Sequence, residues 1–300
     1  MSNGLDIHRH RDNLTSLAHD RHFDYMDLSI DSGDPGAHDR IRGRKGAEAA
    51  VLTALQAANR CLEGVRVSTA SVLRRDNAAG ILRLIEEYAT RNKYFFITPV
   101  QPPSIGKGVS PVDAQALIQF IRDVQALLER LQRESVEVTI LITGLYIYDF
   151  MRAGIFGWDE VEDTGGELSV TRFIHGNTLR LELGILPAYG VNLGLLEFTG
   201  DYLPHAHALQ LPRAKRGEWV MGNIRDTPVL ELHRQGTHDI VQQLIRARDQ
   251  HDCRSQPCWN TCFGGFAFNM EDDALQGRPL TEKPTACTRT GTKRRLPVAS

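Results

Sequence analysis

Short apolar runs and longer amphipathic stretches alternate over the first 134 residues, and few folds accept that order. The runs lie at 23–30, 65–73 and 93–100, and each gives way to polar residues, glycine or proline. Before and between them come three helical stretches. Residues 7–19 are polar and read as a surface helix. Residues 47–62 are alanine-rich, with Val51, Leu52, Leu55 and Ala58 as the apolar positions, and Asn77 is placed to cap 78–90. A fourth helix begins near residue 110, where Ser110 caps, Pro111 presets φ, and Asp113 puts a carboxylate at the positive end of the dipole. Its stripe is Leu117, Ile121, Val124, Leu128 and Leu131. Strands separated by such helices predict an α/β fold, a parallel sheet with helices outside it.

Beyond residue 135 the pattern changes. Residues 136–142 read as a strand, 145–153 fit strand or helix, and the acidic, glycine-rich 156–166 reads as a loop or boundary. Residues 178–186 and 193–199 read as a hairpin pair, with Thr199-Gly200-Asp201 as a turn. Gly222-Asn223-Ile224 and a helix over 229–248 complete a smaller α+β segment.

A net charge of −2 gives no general attraction to nucleic acid or to an anionic membrane. No apolar run approaches the ~18 residues of a membrane span, and the first residues show no signal-peptide core, so a cytoplasmic protein is expected. Four of the five cysteines fall after residue 250, an arrangement unlike the disulfide framework of a small secreted domain. The fifth, Cys61, falls in a helix and reads as a small buried hydrophobe. His8, His10 and His19, with Asp12 one turn after His8, read as a solvated face.

The segment 23–46 carries the first chemistry. Its strand ends in Ser29-x-Asp31, two side chains on the same side, followed by Ser32-Gly33-Asp34-Pro35-Gly36. In α/β folds the loops at that end of the strands form the ligand crevice, although a strand end with hydrogen-bonding residues is the plainer reading. Ser29-x-Asp31 followed by His38-Asp39-x-x-Arg42-Gly43 resembles the fourth strand and loop of radical S-adenosylmethionine enzymes. Ser2-Asn3-Gly4 is similar to the Thr-Asn-Gly that ends their third strand. The resemblance implies an incomplete (β/α) partial barrel, of which this chain supplies about the last four strands, with a sheet edge left open. It implies ribose contact at Ser29 and Asp31. Asn3 and, from its position at the next strand end alone, Asn77 are further candidates around S-adenosylmethionine. The resemblance also implies an absence. The family's Cys-x-x-x-Cys-x-x-Cys loop and its Gly-Gly-Glu segment precede the third strand, and this sequence holds neither.

Cys253-x4-Cys258-x3-Cys262-x-Gly264-Gly265 is the second informative stretch, since three thiols this close suit an iron–sulfur cluster or zinc. Gly200-Asp201, Gly222-Asn223-Ile224 and this cluster occur in the order of the SPASM or twitch extension of radical S-adenosylmethionine proteins. Where that pattern has a cysteine after the hairpin, this chain has His205. Cys287 is the other candidate for a fourth ligand. The expected organisation is a truncated partial barrel over 1–155, a SPASM/twitch-like extension over 156–275 and a flexible tail over 276–300. The expected function is a truncated or degenerate radical S-adenosylmethionine protein acting on a peptide or small molecule. The alternatives are a non-catalytic relative that binds a peptide or protein, and a zinc-stabilised binding module. A partner or a second copy is expected over the open sheet edge.

Overall fold

The apolar runs of the first half become strands, and the ladder joins them in chain order. The computed structural model describes residues 11–20, 23–100, 112–132, 134–143, 147–164, 167–184, 195–203, 217 and 220–235. Strands β1 (Tyr25–Ser29), β2 (Arg66–Leu73), β3 (Tyr94–Pro99) and β4 (Glu137–Thr143) pair in parallel. Leu28 stands opposite Thr69, Thr69 opposite Phe95, and Phe95 opposite Val138. The helices are α1 (Arg11–Ala18), α2 (Ala37–Arg42), α3 (Ala47–Cys61), α4 (Ala78–Tyr88) and α5 (Ala114–Arg130). Right-handed crossovers that always step the same way along a sheet put α3, α4 and α5 on one face.

The two faces differ accordingly. Leu28, Ile30, Val67, Phe95, Ile97, Val138 and Ile140 are buried on the helix side, facing buried Val51, Leu55, Ile81, Leu84, Leu117, Ile121 and Val124. Each such side chain is worth about 2 kcal/mol of burial, so this face holds the layers together. The other face is polar at the strand starts. Arg66 places Nη2 2.9 Å from Glu137 Oε1 and its guanidinium 4.5 Å over the Tyr94 ring. The Ser68 hydroxyl donates to Asp27 Oδ1.

Beyond β4 the seven-stranded sheet continues in the order β4-β7-β6-β5, with β5 at Glu162–Thr164, β6 at Glu167–Ile174 and β7 at Asn177–Gly184. β6 and β7 form an antiparallel hairpin in which Ile174 opposes Asn177. This corrects the expected pairing of 178–186 with 193–199. His175 and Gly176 both hold positive φ, 48° and 88°, as a two-residue I′ turn demands, so the partner of β7 lies just before it. Asn177 then serves a second purpose. Its Oδ1 accepts the Val136 N–H at 3.0 Å, and its Nδ2 donates to the Leu128 and Leu131 carbonyls at the end of α5, both at 2.9 Å.

The cap of α5 is Asp113, whose carboxylate accepts the Ala116 N–H at 2.9 Å. The helix therefore starts at Ala114, later than Ser110 and Pro111 suggest, and those two lie outside the described residues. Cys61 is half-buried rather than buried. At the other side of the sheet, β1 is an edge strand. Its Asp24 and Ile30 neighbours bond β2 through the backbone, so the alternate groups of Tyr25, Asp27 and Ser29 face the open side. Among the described residues no strand pairs there.

These elements, apart from β5 and the ends of some others, belong to the first of two compact units, within residues 1–100, 108–142 and 169–182. The second spans 101–107, 143–168 and 183–300. In it α6 (Ile147–Arg152) settles the ambiguous stretch as helix, and buried Phe150 and Phe156 stack with ring centroids 6.4 Å apart. A three-stranded antiparallel sheet has the order β10-β9-β8, from Leu195–Leu196 (β8), Asp201–Leu203 (β9) and Gly222–Asn223 (β10). Helix α7 is described over Val229–Gln235, and the rest of the expected helix lies outside the described residues. Among the described residues no helix is long and apolar enough to cross a membrane.

Candidate functional site

Two glycines bring the loop after β1 onto the first turns of α4. The Gly33 N–H donates to the Gly80 carbonyl at 2.7 Å. A Cβ on Gly33 would lie 2.6 Å from Leu84 N, and one on Gly80 would lie 2.0 Å from Ser32 Oγ. From this anchor the chain enters α2, bracketed by Gly36 at φ 69° and Gly43 at φ 63°. The short helix returns His38 and Arg42 toward the strand end, and Asp39 accepts the Gly46 and Glu48 N–H groups at the start of α3.

Asp31 is the centre of this return. It is 1% exposed. Its Oδ1 accepts the Val72 N–H at 3.0 Å, and its Oδ2 lies 2.8 Å from Arg42 Nε. His38 Nδ1 lies 3.1 Å from the Asp31 backbone nitrogen and 3.6 Å from Asp31 Oδ2, so the ring is held against both groups. Burial pushes the Asp31 carboxyl up, but the adjoining His38 ring, the Val72 N–H and the Arg42 guanidinium together hold it below the ordinary aspartate value. A depressed carboxyl stabilises the fold above its unfolded pKa of about 3.9, and that contribution disappears as pH falls through the lower folded value. The stability gap between the native chain and Asp31→Asn should therefore be constant from pH 5 to 8 and shrink below about pH 4. Urea titrations across that range measure it, and a gap that persists at pH 3 would contradict the assignment.

Asn77 is 4% exposed and ties the two strand ends together. Its Nδ2 donates to the Asp31 and Val72 carbonyls, both at 2.9 Å, while its Oδ1 accepts the Arg74 N–H at 2.7 Å. It holds the first flanking position of α4, yet its side chain makes no cap bond. The expected capping role is thus replaced by a strand-bridging one. Nearby, the Ser71 hydroxyl donates to the Ile30 carbonyl at 2.6 Å, closing the same web.

A crevice of about 200 Å³ opens at this end of β1 and β2, lined by Ser32, Asp34, Arg40, Arg74, Asp76 and Asn77 among others. Of the residues read from the sequence, Asp31 and Asn77 are hydrogen-bonded to one another's surroundings, and Asn77 reaches the crevice. Ser29 and Asp31 do not line it, being 6% and 1% exposed within the strand end. Ser32, Arg40 and Arg74 were not foreseen. The paired glycines at 36 and 43, which bracket a helix carrying Arg40, are the signal that could have found one of them.

In the second unit two distant motifs meet. Asn223 opposes Asp201 across β10 and β9, and its Nδ2 donates to Asp201 Oδ1 at 2.8 Å. The Thr199 hydroxyl donates to Asp201 Oδ2 at 2.9 Å. The Asn223 amide and the Thr199 hydroxyl hold the Asp201 carboxyl below its ordinary value. Gly200, at φ 90°, leaves room for Asn223, since a Cβ there would be 2.9 Å from Asn223 Oδ1. Asn3, His205, Cys253, Cys258, Cys262 and Cys287 lie outside the described residues. Among the described residues no group of three or more His, Cys, Asp or Glu could hold a metal ion. Compared with known protein families, with curated proteins and with solved structures, the chain matches none of them.

Proposed function

We propose that this chain is a degenerate radical S-adenosylmethionine-type protein, a ligand binder built on the later strands of a partial barrel with a SPASM/twitch-like extension. One observation carries the reading: β1 to β4 run parallel in chain order with their helices on one face. An open doubly wound sheet binds ligands where its strand order reverses, and this ladder has no reversal. A barrel wall has this order, and its ligands sit at the C-terminal strand ends. The polar residues on the face opposite the helices and the meeting of Gly200-Asp201 with Gly222-Asn223-Ile224 support the same reading.

The residues present do not fit a ribose, however. A sugar diol would compete with Arg42 and the Val72 N–H for the two Asp31 oxygens, in a residue already 1% exposed. Within these 300 residues there is no Cys-x-x-x-Cys-x-x-Cys to present an open iron to a sulfonium, so these residues by themselves bind without radical chemistry. The edge of β1, which no strand pairs among the described residues, suits a peptide or protein strand. Cys253, Cys258 and Cys262 are proposed to ligate an iron–sulfur cluster or zinc, with His205 or Cys287 completing the set.

The chain reconstituted anaerobically with iron, sulfide and dithionite should form no 5′-deoxyadenosine from S-adenosylmethionine, followed by chromatography. The same preparation, before reconstitution, should carry iron or zinc near one site per chain. Clear turnover would refute the first statement, and metal below about a tenth of an equivalent would refute the second.

A further inference from the structure

The crevice over Asn77 is richer in free donors than its mixed lining suggests. Asp34 Oδ1 lies 2.9 Å from Arg83 Nη1, and Asp76 takes Arg74 Nε and Nη2 at 2.9 and 2.8 Å. Both carboxylates are therefore neutralised within pairs, leaving three guanidinium groups against two acids. Arg40 is the surplus cation, since among the described residues its guanidinium makes no hydrogen bond or ion pair. The Nη1 of Arg74 is also left over. Ser32 lines the same wall almost wholly buried, and its Oγ accepts the Asp34 N–H at 3.0 Å, which fixes the loop there. At the same wall α4 begins with no side-chain cap, because the Asn77 amide is spent on the strand ends. The positive end of that helix adds to the same potential.

We propose that this crevice binds the phosphate group of a small phosphate monoester. A carboxylate brings two oxygens and one charge, enough for a single guanidinium. A phosphate brings three terminal oxygens and nearly two charges at neutral pH, which matches donors arriving from α2, from Arg74 and from the Ser32 loop. At about 200 Å³ the space lies below that of pockets for drug-sized ligands, so the rest of the ester is small. The site goes beyond the family reading and does not depend on it.

Isothermal titration of the full chain with ribose 5-phosphate, inorganic phosphate and ribose tests the assignment. Both phosphates should bind and ribose should not. Arg40→Ala should weaken binding about tenfold or more, and Arg40→Lys less, as expected for losing one charge-assisted contact. Arg40 is exposed, so neither variant should fail to fold. Arg75→Ala, whose native side chain pairs with Asp113 outside the crevice, should bind as the native chain does. No heat with either phosphate, equal binding of ribose, or full affinity in Arg40→Ala would overturn the proposal. Tight S-adenosylmethionine binding that phosphate fails to displace bears on the family reading and would not produce any of those three results.

Discussion

Asn77→Ala should lower the unfolding free energy by about 3 kcal/mol, one for each hydrogen bond lost from a buried site. The two carbonyls of Asp31 and Val72 and the N–H of Arg74 would be left without the amide that now joins them. Alanine cannot admit water easily there, because the residue is 4% exposed. Asn77→Asp separates this account from simple helix capping. Asparagine and aspartate cap helices about equally well, so a capping role predicts little change. In the observed web an aspartate would set a carboxylate against two carbonyl oxygens. Its loss at neutral pH should equal or exceed that of alanine, and acid should recover part of it as the carboxyl protonates. Urea unfolding of both variants at pH 7 and pH 4 measures the difference; a neutral Asn77→Asp would return Asn77 to the role of a cap.

Gly33→Ala should cost about 3 kcal/mol for a different reason. The new methyl would sit 2.6 Å from Leu84 N and 2.8 Å from Leu84 Cα, and both belong to helix backbone that cannot rotate aside. Either α4 retreats or the loop lifts, and both break the 2.7 Å bond from Gly33 to Gly80. The lifted loop would carry Ser32 and Asp34 out of the crevice, so phosphate binding should fall with stability. Gly36→Ala makes the contrast. There the nearest atom to a new Cβ is 3.8 Å away, and only the left-handed backbone, worth about 1–2 kcal/mol, opposes the change. Thermal melts of the two variants should rank them in that order, and the reverse ranking would show that the close approach is soft.

The parallel ladder was legible because its evidence is cumulative. Runs of five to eight residues such as β1 and β2 gather enough alternation to name a strand, and helices as long as α3 and α5 show an apolar stripe. Helix α2 has six residues, less than two turns, and shows no period. The β6–β7 hairpin was written in His175-Gly176, a pair less telling than Asn-Gly although it adopts the same positive φ angles. At the start of α5 two good capping types compete, Ser110 and Asp113, and only geometry chooses. The site was half legible. Asp31 and Asn77 could be placed at adjacent strand ends from the repeat alone, yet which partners their side chains take depends on α2 and on the loop at Gly33. An arginine without an acid, as at position 40, looks in sequence like any other surface arginine.

Because β1, β2 and β3 pair only with chain neighbours, each of their joints closes a loop of about one helix, and this part of the wall can assemble a unit at a time. Stability in such an array accrues from nearest-neighbour joints, much as in a repeat protein. Strand β1 has one joint where β2 and β3 have two, so it opens before they do. Asp31 and Asn77 straddle that seam. A molecule captured in the crevice would therefore be felt as slower opening of the sheet at β1, with occupancy and the lifetime of the folded wall rising together.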